Sequence, residues 1–123
     1  MNDLSPSATL RLLIDSLNRR DVTPLKPLID EQAVFFFPGA KPVAGAERMC
    51  RFFEILFYRF PRLVFTVGRV VGDDRCAAAE WTNEGEDRRG APYANQGVTF
   101  LELAAGRIVY LSDTFKDTSF TAR

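Results

Sequence analysis

The hydrophobic pattern of this 123-residue chain changes period at Pro61. Upstream, apolar residues recur at helical spacing; from Leu63 onward they alternate with polar ones almost to the C-terminus. A period of 3.6 buries one stripe of a helix, and a period of two buries one face of a strand. The chain must therefore place helices first and a run of long strands after them. Turn residues divide the second half into strands at about 63–72, 75–84, 93–103 and 107–115. Gly72-Asp73-Asp74 and Ala104-Ala105-Gly106 are short, glycine-bearing reversals suited to antiparallel neighbours, and the polar stretch from Glu84 to Gly90 reads as a solvated, mobile tip. This order is the α+β pattern, a curved sheet with its helices packed on one face.

The first half supplies the helices. Ser5-Pro6 is a capped start, followed by Leu10, Leu13, Ile14 and Leu17 on one stripe, with Arg11, Asp15, Asn18 and Arg19 on the wet side. Asp21 is expected to cap a second, short helix that Pro24 and Pro27 keep from running past Leu28 or Ile29. Residues 33–37 form an apolar strand stopped by Pro38-Gly39, and an irregular loop continues to Gly45. A third helix begins at Ala46-Glu47. Its apolar ladder is Met49, Phe52, Phe53, Leu56, Phe57 and Phe60, opposite Arg48, Arg51, Glu54 and Arg59. The ladder reads first as core, because this helix has to cover the sheet. At this length one domain, residues 1–123, is expected.

Residue inventory removes several classes of chemistry. The chain has no histidine and two cysteines, Cys50 and Cys76, far apart in sequence. No zinc or iron ligand set and no histidine-activated nucleophile can be assembled from that, so no metal is expected. Sixteen basic and sixteen acidic residues cancel, and the arginines are scattered rather than striped. Nothing favours nucleic acid. The N-terminus lacks a charged-then-apolar leader, and the longest apolar run, 52–58, is broken by Glu54. The expectation is a cytoplasmic protein that does not span a membrane, with both thiols reduced.

Proton transfer is left to carboxylates, Tyr or Lys, and one carboxylate stands out. Asp113 interrupts an apolar strand, and alternation places Val109, Leu111, Asp113 and Phe115 on one face. Such an acid looks at water or sits at the bottom of a pocket. On the neighbouring strands Ala77, Ala79, Trp81 and Asn83 share a face, as do Tyr93, Asn95, Gly97, Thr99 and Leu101. Trp81 is either pocket wall or plain core. Tyr110, Glu80, Thr82 and Phe100 fall on the opposite, convex face, although a bulge would turn Glu80 inward.

Taken in order, several segments resemble the nuclear transport factor 2-like, or SnoaL-like, superfamily. They are Asn18-Arg19-Arg20-Asp21 closing the first helix, the strand Ala33-Val34-Phe35-Phe36-Phe37-Pro38, the helix entry Val43-Ala44-Gly45, Asn95-Gln96-Gly97-Val98, and Gly106-Arg107-Ile108-Val109 leading to Asp113. The resemblance implies a cone-shaped α+β barrel, a curved, mostly antiparallel sheet wrapped around three N-terminal helices. It implies an apolar interior lined by Leu13, Leu17, Phe35 or Phe37, Phe53, Phe57, Ala79, Trp81, Asn83, Asn95, Thr99, Leu111 and Phe115 around Asp113, and a homodimer formed through the convex sheet face. In similar ketosteroid isomerases the base and the two oxyanion donors fall where this chain has Phe37, Leu13 and Thr99, so that activity is not expected. Similar epoxide hydrolases carry an arginine and an aspartate near Trp81 and Asn83, and share only the last-strand acid. Similar polyketide cyclases use an acid at the position of Asp113, which makes them the nearest functional match.

Two functions follow. In the first, a cofactor-free isomerase, cyclase, dehydratase or hydrolase uses Asp113 as general acid or base on a small apolar molecule, with Asn95 and Asn83 as orienting donors and Trp81 and the phenylalanines as walls. In the second, the same fold binds an apolar metabolite or dimerises without chemistry. Asp113 on the cone floor of an enclosed cavity of several hundred cubic ångströms, the size typical of ligand sites, favours the first; a filled interior, with Phe and Trp rings in contact and no void, favours the second.

Overall fold

The computed structural model describes residues 4–117. Helix α1 (Pro6–Arg19) starts where the Ser5 hydroxyl accepts a hydrogen bond from the Ala8 amide at 3.0 Å, with Pro6 in the first turn. It ends on Arg20, whose left-handed backbone (φ 60°) turns the chain away from the helix axis. Leu10, Leu13 and Ile14 are buried against the sheet. Each contributes about 1.5–3 kcal/mol of apolar burial. Asn18 lies on the wet side as its position predicts, but its carboxamide exchanges two hydrogen bonds with the Phe65 backbone, at 2.9 and 2.7 Å. It therefore ties the helix to the sheet edge.

The second helix expected from Asp21 is reduced to a single 3-10 turn, Lys26–Leu28. Asp21 uses its carboxylate to accept from the Thr23 amide at 2.9 Å, and this local turn competes with helix initiation. Helix α2 (Ala46–Arg59) forms on the predicted register, with Met49 and Phe53 buried along with Cys50, which the periodicity had not placed inside.

Six strands follow the order β2-β1-β6-β5-β4-β3 in one open, curved sheet. They are β1 (Ile29–Phe36), β2 (Val43–Ala44), β3 (Arg62–Gly72), β4 (Cys76–Glu86), β5 (Pro92–Ala104) and β6 (Arg107–Phe115). All neighbours are antiparallel except β1 and β6. β1 begins four residues before the apolar run that announced it, because Asp30-Glu31-Gln32 continues the strand through an irregular register against β6. β2 lies within the segment expected to be loop.

Bulges correct two assignments of face. Between β5 and β6 the pairing steps from Leu103 opposite Ile108 to Glu102 opposite Tyr110, so β6 carries one extra residue. Ile108, not Val109, therefore joins Leu111 on the core side, with Ile108 fully buried and Val109 only partly so. A second irregularity lies in β3, between Val67 and Val70 opposite Glu80. Glu80 stays on the outside and pairs with Arg69 at 2.7 Å. The bulge that would have turned it inward is on the other strand.

The β5–β6 reversal is a two-residue loop in which both residues have positive φ, Ala105 at 52° and Gly106 at 76°. This is the primed turn that matches strand twist, and it suits Asn-Gly better than Ala-Gly because an alanine side chain crowds its own carbonyl there. Ala105→Asn is expected to raise the free energy of unfolding by about 1 kcal/mol, read from urea denaturation midpoints. A fall in stability would contradict this account of the turn.

Candidate functional site

Three neighbouring strands converge on Asp113. Register pairs Thr99 of β5 with Asp113 of β6 and with Ala79 of β4, two residues before Trp81 on the same face. The Trp81 indole N–H donates to the Thr99 hydroxyl oxygen at 2.8 Å, and the Thr99 hydroxyl donates to Asp113 Oδ1 at 2.7 Å. An indole nitrogen can only donate, so Thr99 must accept from it and has one proton left, which goes to Asp113. Oδ1 is thereby fixed as an acceptor. Oδ2, which meets no donor among the described residues, is the oxygen that can carry an exchangeable proton.

Asp113 lines a hollow together with Leu17, Phe37, Phe53, Phe57, Trp81, Asn83 and Phe115, and with Arg20, Leu56, Phe60, Leu63, Phe65 and Tyr93. Phe115 stacks toward Trp81 (6.2 Å between centroids) and Phe37 (5.3 Å). Gly97 permits this approach: a side chain there would place its Cβ 2.8 Å from the Phe115 Cβ. The rings leave about 60 Å³ inside. That is room for a few waters or a small fragment, well below the roughly 300 Å³ at which ligand pockets usually begin. Phe60 and Tyr93, with ring centroids 4.7 Å apart, line both this hollow and an open outer groove of about 540 Å³.

Burial in this apolar setting raises the Asp113 carboxyl to about 6, and the hydrogen bond from Thr99 offsets part of that rise. The expected orienting donors Asn95 and Asn83 do not reach it, and Thr99 does. Asn95 sits at the rim, where its carboxamide bonds the Tyr93 hydroxyl (3.0 Å) and the Asp117 backbone (2.7 and 3.1 Å). Asn83 lines the hollow but makes no side-chain hydrogen bond among the described residues, and its Oδ1 is sealed without a partner among them.

Asp113 and seven of the expected lining residues thus meet around the hollow, and Thr99 stands behind it. Leu13 and Leu111 are on the expected faces but lie deeper, in the packed core. Leu13 is one turn before Leu17, and Leu111 is two residues before Asp113, paired with Leu101. Trp81 is both wall and core, 5% exposed. The sequence reading missed Arg20 and Tyr93. Arg20 is carried there by its left-handed backbone, donates to the carbonyls of Phe57 and Phe60 (2.8 Å to Phe60), and lies 5.0 Å from the Phe57 ring. Burial lowers its guanidinium from the ordinary value. Tyr93 shares the inward parity of Asn95 and Thr99, a signal that was present in the strand pattern; burial raises its phenol.

The family model of the SnoaL-like domain matches residues 10–111. No curated protein matches the sequence. Among solved structures, a candidate SnoaL-like polyketide cyclase from Jannaschia sp. CCS1 superposes with a TM-score of 0.79 at 20% identity, over 94% of this chain and 92% of that one. A loop-truncation variant of IdmH gives 0.80 at 23% identity, over 96% and 98%. An epoxide hydrolase of the LEH-like type from M. tuberculosis gives 0.74 at 16% identity, over 90% and 82%. At these identities the likeness is one of fold.

The raised carboxyl fixes a sign for stability. The native state holds the Asp113 proton up to about pH 6, whereas the unfolded chain releases it near 3.8, so this group costs stability as pH rises through that window and the full cost is present above it. Asp113→Asn keeps an acceptor for Thr99 and removes the charge. The variant is expected to be more stable than the parent at pH 7.5, by up to ~3 kcal/mol, with the advantage gone at pH 3.5. A variant less stable at pH 7.5 would show that Asp113 is well solvated in its ionised form.

Proposed function

The chain belongs to the SnoaL-like domain family, and from that premise we propose that it is an enzyme that moves a proton on a small, largely apolar substrate using Asp113. The observation that carries this reading is the fixed polarity of the Trp81–Thr99–Asp113 chain, which leaves one carboxylate oxygen facing an apolar hollow. A carboxyl near 6 is ionised enough at neutral pH to accept a proton and basic enough to hold it. Oδ2 takes a proton from carbon or oxygen of the substrate and returns it at a neighbouring position, which is the step common to isomerases, cyclases and dehydratases. The chain's own residues suffice for it. With only about 60 Å³ inside, the reacting end alone fits, and the body of a larger substrate lies toward the outer groove past Phe60 and Tyr93.

The test is exchange of the α-protons of cyclohexanone in D2O, followed by NMR. The protein is expected to accelerate exchange, with a rate that rises as pH passes through about 6 and levels off above, because the ionised carboxylate is the active form. Asp113→Asn is expected to lose about 10²–10⁴-fold. Exchange that persists in the folded variant would remove Asp113 from the chemistry.

A specific observation also favours self-association. On the convex face Phe36 and Phe100, each more than a third exposed, flank Tyr110 with ring centroids 5.5 and 6.0 Å away, and exposed Val98 lies on the same side of β5. We propose that a second copy covers this patch. Sedimentation is expected to give a dimer, and Phe100→Lys a monomer with unchanged circular dichroism; a parent protein that sediments as a monomer at 100 μM (roughly the weak-dimer range) would end the proposal.

A further inference from the structure

Asn83 is the polar residue of the hollow that the fold does not use. It is 6% exposed, projects from β4 on the same face as Trp81, and lines the cavity with Asp113. Its Oδ1 is closed off without a donor, and its Nδ2 makes no hydrogen bond among the described residues. Since Nδ2 is not among the sealed atoms, it is the end of the carboxamide that keeps surface on the cavity. A buried amide with both ends unsatisfied works against folding. An isosteric leucine would fill the same space without that penalty. The residue therefore makes sense as a partner for something that enters.

What enters has to carry an acceptor. Nδ2 presents N–H donors, and Arg20, which also lines the hollow, adds a positively charged guanidinium that can only donate. Asp113 Oδ2 is the one acceptor among these groups. A ligand oxygen with lone pairs, next to a carbon that bears the labile proton, satisfies both sides.

We propose that Asn83 Nδ2 holds the carbonyl oxygen of the ligand, and that the site selects small apolar ketones or their enol forms through this contact. The inference rests on the hollow being the ligand site, as argued above, but not on turnover. As charge builds on the oxygen during proton abstraction, the same N–H donor strengthens its bond to it, with Arg20 supplying favourable potential from the wall.

The experiment compares cyclohexanone with methylenecyclohexane, the same shape without the oxygen, by ¹H–¹⁵N NMR titration of the parent protein, Asn83→Leu and Asp113→Asn. The parent's Asn83 side-chain NH2 signals are expected to move with cyclohexanone. The ratio of association constants, ketone over alkene, is expected to fall about tenfold in Asn83→Leu, read on the indole N–H of Trp81, the single tryptophan. It is expected to survive in Asp113→Asn, which separates this contact from the acid-base reading. Asn83→Leu is also expected to melt no lower than the parent. Unmoved NH2 signals, an unchanged ratio, or an unfolded or clearly destabilised Asn83→Leu would each overturn the proposal. So would tighter binding of cyclohexanol than cyclohexanone, which would put the carboxamide oxygen on the cavity.

Discussion

The structure depends on a hydrogen-bond chain that crosses three strands. Trp81 on β4, Thr99 on β5 and Asp113 on β6 are linked in a direction set by chemistry alone, since the indole has nothing to accept with and the carboxylate nothing to donate while ionised. A shift of one residue in either ladder would turn one member to the opposite face and break it. The register of the sheet and the protonation behaviour of Asp113 are thus one constraint. The bulge between Ile108 and Tyr110 lies upstream of the chain on β6, so it re-aims the start of the strand while leaving Leu111, Asp113 and Phe115 in step.

The hollow exists because packing stops short at a particular place. Below it, Leu13, Leu111, Phe35 and Met49 fill the space between helices and sheet, all at 2% exposure or less. Above it, Phe57, Phe65 and Phe115 approach from α2, β3 and β6 and Phe37 from just past β1, and Phe37 and Phe65 meet neighbouring rings edge-on. Edge contacts leave gaps that aliphatic side chains would close. Arg20 belongs to the same end: its guanidinium satisfies carbonyls at the C-terminus of α2, a natural position for a cation, and in doing so closes the wall between the two helices.

Much of this was legible in the chain. The change of period at Pro61 located four strands to within two residues at each end, and parity put Trp81, Asn83, Thr99 and Asp113 on one face. The pattern misleads where strand pairing is irregular: Asp30-Glu31-Gln32 looks like loop because its polarity reports exposure, not backbone, and Val109 looks inward because a bulge leaves no local trace in a run of apolar residues. Parity could not say how deep a residue lies along the cone, so Leu13, Leu111 and Asn95 were grouped with residues a turn or a strand pair away. Arg20 was invisible for a different reason. Its place follows from one left-handed backbone angle at the end of α1, where sequence patterns would have called for glycine or asparagine.

Three departures from what best serves folding coincide within the hollow. Asp113 is held in apolar surroundings at a cost that grows above pH 6, Asn83 is left with an unpaired oxygen, and the rings around them forgo contacts. Any of these in isolation is an ordinary blemish of a small domain. Elsewhere among the described residues buried polar side-chain atoms are satisfied, and the remaining carboxylates with resolved shifts are drawn downward by hydrogen bonds, as at Asp21, Asp73 and Glu80. A chain whose described buried polar side-chain atoms are satisfied in all but one place gives up stability there. The acid raised by burial and the amide without a partner face the same few tens of cubic ångströms, so one ligand oxygen and its neighbouring carbon would meet both.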